Sequence, residues 1–207
     1  MRTIRKTTKI NKGVSLTEII VSVAIFATVA VALGNFSSDI FTLNSNAEEN
    51  LSAQSDGRRI LKTIVAELRS TSPSSLGAYA LSQVATSSLI FFSNIDADPL
   101  KERIRYFLQD KNLHKGVIKP SGDPLVYNPA DEEIIFLVRD IVNGAVPIFE
   151  YFDQTYTGTS TPLIQPVQAT SVRLIKITLI IDQDPSRGTG PITVTSQVTL
   201  RNLKDNL

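Results

Sequence analysis

The chain has 207 residues, with 21 Lys and Arg against 20 Asp and Glu, 42% apolar residues, one His, and neither Cys nor Trp. A net charge of +1 argues against nucleic-acid binding through bulk charge and against an acidic disordered tail. The lack of Cys excludes disulfide scaffolds, thiol chemistry and thiolate zinc sites; a single histidine, His114, excludes multi-histidine metal sites and is read as an ordinary, partly exposed residue at a strand edge.

The charge is unevenly spread. Residues 1–13 carry Arg2, Arg5, Lys6, Lys9 and Lys12 and no acid, which leaves 16 basic against 20 acidic residues, a net of −4, for the rest of the chain. Directly behind them Ile19 to Ser38 contains no charged residue. A bilayer core about 30 Å thick needs roughly 20 apolar residues in helix, and basic residues ahead of such a span keep the N-terminus cytoplasmic and send the C-terminal mass across.

Three readings fit this start. Residues 1–32 form a conventional signal peptide, for which Ala30-Val31-Ala32 offers a cleavage site. Alternatively, the span is an uncleaved single-pass anchor. The third reading turns on Glu18, a carboxylate at the head of the apolar run, where charge in hydrocarbon costs on the order of 3 kcal/mol on insertion scales and calls for a partner. At the interface the same residue also suits a capping box, Ser15-Leu16-Thr17-Glu18.

The string Lys12-Gly13-Val14-Ser15-Leu16-Thr17-Glu18-Ile19-Ile20-Val21 resembles the N-terminal signature of type IV pilins and type II secretion pseudopilins. The resemblance implies a leader that ends at Gly13, a mature chain that starts at Val14 with a methylated amine, and Glu18 as its fifth residue. In that family a membrane prepilin peptidase makes the cut, and the fifth-position carboxylate meets the free amine of a neighbouring subunit during assembly. A buried carboxylate offset by such a cation also fixes the axial register of packed helices. Val14 departs from the Phe or Met usual at the first mature position.

Val14 to Ser72 lacks Pro and predicts one long helix, about 88 Å if continuous, which Pro73 would end. Its membrane-spanning part is 14–38; 39–72 is an amphipathic continuation. There Ile60, Leu61, Ile64, Val65 and Leu68 form a stripe expected to pack on the chain's own sheet, and Arg58, Arg59, Lys62, Glu67 and Arg69 lie off it. Asn44 to Asn50 and Asp56-Gly57 are the expected places for a bend or break, and Gly34 is a point of possible unwinding.

Beyond Pro73, residues 73–207 read as a β-rich head. Runs at Leu89–Phe92, Arg103–Leu108, Leu113–Ile118, Ile134–Val138 and Val146–Phe152 are bounded by turn signals. Ile192–Leu200 alternates apolar and polar residues, with Ser171–Asp182 as its expected hairpin partner through Asp184 to Gly190. Asp153 to Thr170 is a long Thr-, Pro- and Gln-rich loop. The order of these pieces is similar to that of larger minor pseudopilins of the J or W type. The fold class is thus α+β, a long N-terminal helix packed on an antiparallel β-sheet domain.

No catalytic constellation emerges. Asn94, Asp96 and Asp98 alternate like the start of a calcium loop, but Pro99 and Arg105 stand where the motif needs Gly and Glu, so a turn with solvated carboxylates is expected. Asp131-Glu132-Glu133 reads as a solvated loop, and Arg103, Arg105, Tyr106 and Lys111 as a strand's solvent face. No enzyme activity, cofactor, metal or nucleic-acid partner is expected. By resemblance the partners are the prepilin peptidase, other pilin-like subunits met through the N-terminal helix, an inner-membrane assembly platform and, before assembly, membrane lipid. The location implied is the cytoplasmic (inner) membrane with the C-terminal domain outside the cytoplasm, then the pilus or pseudopilus.

Overall fold

The computed structural model describes residues 13–96, 98–183, 185 and 190–200. The basic leader and much of the Asp184–Gly190 connection lie outside the described residues. Two compact units meet between Ala47 and Glu48, and helix α1, Leu16–Arg69, contributes to both. Helical structure is unbroken through Asn44–Asn50 and Asp56–Gly57, the expected break points. Without proline, one weak helix former is not enough to interrupt a helix that gains by packing.

In the first unit the helix is apolar on every side and its apolar side chains are exposed, Phe26 by 79% and Leu33 by 60%. Leu16–Ser45 is long and apolar enough to cross a membrane. At 1.5 Å per residue it measures about 45 Å, more than the roughly 30 Å of a hydrocarbon core. Its hydroxyls turn back on the helix, Ser22 to the Glu18 carbonyl at 2.7 Å and Ser37 to that of Leu33 at 2.9 Å. Such bonds satisfy a hydroxyl where no water is present.

The second unit packs the end of α1 against two antiparallel sheets, an α+β layout. Five strands, β1 Leu81–Val84, β2 Ser88–Ser93, β3 Glu102–Gln109, β4 Asn112–Ile118 and β5 Glu133–Val138, pair in sequence order. Three more, β6 Phe149–Phe152, β7 Leu174–Ile181 and β8 Ile192–Thr199, form a second sheet, so the single sheet expected from the sequence is divided in two. β7 and β8 pair over their full lengths, from Leu174 with Thr199 to Ile181 with Ile192, as the alternation predicts. Val194, Val198 and Leu200 are buried while Thr193, Thr195, Gln197 and Thr199 are exposed.

One core joins these layers. Leu61, Ile64, Val65 and Leu68 of α1 meet Leu81, Phe91, Ile104 and Tyr106 of the larger sheet and Ile175, Ile177, Leu179 and Val198 of the smaller. The stripe therefore faces the chain's own sheets. Gly57 is buried as well: a Cβ there would lie 2.8 Å from Val194 Cγ2 and 3.1 Å from Ile181 Cδ1. It is a point of close approach rather than a break.

Glu67 departs from the expected solvated face. Its carboxylate accepts hydrogen bonds from Lys115 Nζ at 2.5 Å and Tyr106 Oη at 2.7 Å, from residues paired across β3 and β4. Burial, and then the Glu67 charge, push the Tyr106 hydroxyl far above its ordinary pKa. The helix stops at Arg69, ahead of Pro73, because Thr71 bridges to Ser93 and the Ser93 hydroxyl caps the Glu67 carbonyl at 3.2 Å.

The expected strand Val146–Phe152 forms only at its end. Asn143, 5% exposed, bonds the Val146 and Thr178 carbonyls and accepts from the Ile180 N–H, and so holds the preceding residues in a turn. Within the Asp153–Thr170 segment, Leu163 and Val167 pack on the core, and the Leu163 N–H bonds the Tyr151 carbonyl at 2.8 Å.

Candidate functional site

The candidate site is the start of α1. Gly13 is exposed and has no atom within 4 Å of where a Cβ would stand; Val14 is 67% exposed. The helix opens when the Ser15 carbonyl accepts the N–H groups of Glu18 at 3.0 Å and Ile19 at 3.2 Å. The Ser15 hydroxyl lies 2.8 Å from that of Thr17, so its side chain meets Thr17 in place of the Glu18 N–H of a capping box.

Glu18 sits in the first turn of the helix with its side chain exposed. The unpaired N–H groups there carry partial positive charge, which favours a carboxylate by up to about 1 kcal/mol. Around it Leu16, Ile19, Ile20 and Val21 are 50–75% exposed. An exposed carboxylate one turn into an apolar surface meets no cation among the described residues of its own turn. A carboxylate that loses water when such a surface is covered either gains a cationic partner or takes up a proton.

The other residues singled out from the sequence do not converge on this place. His114 lies on β4, between β3 and β5, away from any sheet edge; its ring stacks on Phe107 at 5.3 Å and meets Phe136 edge-on at 5.9 Å. Glu132 is not solvated: Arg105 grips it through two bonds of 2.8 and 2.6 Å and lies 3.9 Å over the Phe107 ring. Gly116 makes that grip possible, since a Cβ there would collide with Glu132 Oε1. Tyr106 faces the core, on the face of β3 opposite to Arg105 and Phe107, so it does not share a surface with the basic residues of that strand. No protein-family model matches the chain, and no curated protein matches it.

Proposed function

We propose that this chain is a minor pilin-like structural subunit, a pseudopilin of the J or W kind, with no enzymatic role. It is processed after Gly13 and assembled through α1 into a type IV pilus, competence or type II secretion filament. The observation that carries this reading is the register of Gly13, Val14 and Glu18 at the head of an exposed apolar helix. Before assembly the Leu16–Ser45 segment sits in the cytoplasmic membrane. In the filament, neighbouring helices replace lipid around it, and the Glu18 carboxylate pairs with the Val14 amine of another subunit. Gly34, a weak helix former within that segment, is where the helix would unwind to let the subunit stretch.

Mass spectrometry of the protein purified from cells that contain a prepilin peptidase tests the reading. The expected mature N-terminus is Val14. A start at Leu33 would mean a conventional signal peptide on an exported binding domain or enzyme, and an intact Met1 would mean a simple anchor; either sinks the proposal. Glu18→Ala should be cleaved normally yet fail to enter filaments, and normal incorporation would contradict the role given to Glu18.

A further inference from the structure

The sequence pattern Asn94, Asp96, Asp98 gains a fourth member that its spacing does not announce. Glu102, the first residue of β3, is fully buried. One carboxylate oxygen from each of Asp96, Asp98 and Glu102 lies within 4.8 Å of the other two. Glu102 Oε2 accepts the Ile95 N–H at 2.9 Å, but Oε1 is buried and has no hydrogen-bond partner. A buried carboxylate oxygen left bare is costly, because it has lost water and gained nothing in return.

Charge leads to the same conclusion. Among the described residues the cluster's ion pair is Lys119 Nζ with Asp96 Oδ2. Three carboxylates against one ammonium leave an excess of two negative charges, the charge of one divalent cation.

The spacing fits as well. Oxygens that bind one calcium ion at 2.3–2.6 Å stand at most about 5 Å apart. The loop is already held in shape: Asn94 Nδ2 bonds the Asp98 carbonyl at 2.6 Å, Asp98 N–H bonds Asp96 Oδ1 at 3.0 Å, and Leu100 N–H bonds Asp98 Oδ1 at 2.8 Å.

We infer that Asp96, Asp98 and Glu102 form a calcium-class divalent cation site in which the bare Glu102 oxygen is a ligand. The site joins the β2–β3 loop to the start of β3 and owes nothing to the N-terminal processing signal. Two loop carboxylates and one buried at the start of β3 suit affinities on the order of 10⁻⁴ to 10⁻³ M, the range of extracellular calcium modules.

The test is calorimetric titration of Ca²⁺ into the full chain, purified in detergent and stripped with chelator, alongside a thermal melt in Ca²⁺ and in NaCl of equal ionic strength. One ion should bind per chain, and the melting temperature should rise with Ca²⁺ beyond the NaCl control. Glu102→Gln keeps an oxygen for the Ile95 N–H but loses the charge; Asp98→Asn is a milder change at a half-exposed position. Both should weaken binding at least tenfold, and Glu102→Gln should melt in chelator no lower than the wild type. Absence of saturable binding up to 10-fold above the expected range, or binding that survives both substitutions, would overturn the site.

Discussion

The two ends of α1 share one helix but solve opposite problems. From Leu16 to Ala47 apolar side chains stand exposed all around, and the hydroxyls fold back on the backbone. From Glu48 to Arg69 the apolar residues narrow to a stripe that the chain's own sheets cover, leaving Arg58, Arg59 and Lys62 in water. The same backbone geometry thus serves one segment whose solvent lies outside the chain and another whose solvent is the core. Stability of the folded head should depend on the second segment and be nearly blind to the first.

The widest separation is expected from one substitution made at both ends. Leu68 is fully buried and Leu33 is 60% exposed. Leu68→Ala should cost about 3 kcal/mol or more of unfolding free energy through lost burial and the cavity left behind, while Leu33→Ala should cost less than about 0.5 kcal/mol. All five tyrosines, Tyr79, Tyr106, Tyr127, Tyr151 and Tyr156, fall in residues 48–207 and there is no Trp. Tyrosine fluorescence in a urea titration of the detergent-solubilised chain therefore reads the second unit alone. Equal effects at the two positions would erase the distinction.

Charged residues should divide in the same way. Glu67→Ala strips Lys115, 8% exposed, of its counter-ion and leaves the Tyr106 hydroxyl without its acceptor. A loss of about 3 kcal/mol is expected, because a buried charge left alone is worse than none. Asp39→Ala, at an exposed position of the first unit, should leave the same urea midpoint unchanged.

The difference between the halves also separates what was legible in the sequence from what was not. The apolar run, the stripe at Ile60 to Leu68, and the alternation of β8 report local periodicity, so they could be read without a fold. So could the register of Gly13, Val14 and Glu18, which is a linear signal. Long-range partners could not. Glu67 lies off the stripe by helical spacing, yet its side chain is long enough to reach two strands. Glu102 and Glu132 look like ordinary surface acids until β-pairing buries one and brings the other to Arg105. Alternation predicts which face of a strand is covered but not which sheet it joins, so the division into two sheets was hidden. β1, Leu81-Ser82-Gln83-Val84, is too short and too polar in its middle to stand out.

Alkali should act on the second unit only. Burial holds the Tyr106 and Tyr151 hydroxyls far above the ordinary tyrosine pKa of about 10. Because the folded pKa is raised, the stabilisation is whole below about pH 10. It declines above that pH, as the unfolded chain releases protons that the folded chain keeps. Each tyrosine should contribute a loss of about 1.4 kcal/mol in all between pH 9 and 11, the slope steepening as the unfolded hydroxyl ionises. Urea midpoints between pH 9 and 11 should fall accordingly, and Tyr151→Phe, which loses only the bond to the Ala85 carbonyl, should roughly halve the slope. A midpoint flat across that range would mean that the two rings are not buried as described.

The smallest expected effects are the most diagnostic, because they differ in sign. Alanine is a better helix former than glycine by about 1 kcal/mol, so on propensity alone Gly34→Ala and Gly57→Ala should both stabilise. At Gly34 a methyl group has nothing within 4 Å to meet, and the substitution should stiffen the helix without harm to the head. At Gly57 the methyl group lands 2.8 Å from Val194 Cγ2, a branched side chain on β8 with little rotamer freedom to yield. Overpacking of this kind costs about 1–3 kcal/mol, enough to cancel or reverse the propensity gain. Gly57→Ala should therefore lower the urea midpoint, and pairing it with Val194→Ala should recover part of the loss by making room. If Gly57→Ala raises the midpoint as propensity alone predicts, the helix does not approach the smaller sheet as closely as the Val194 contact requires.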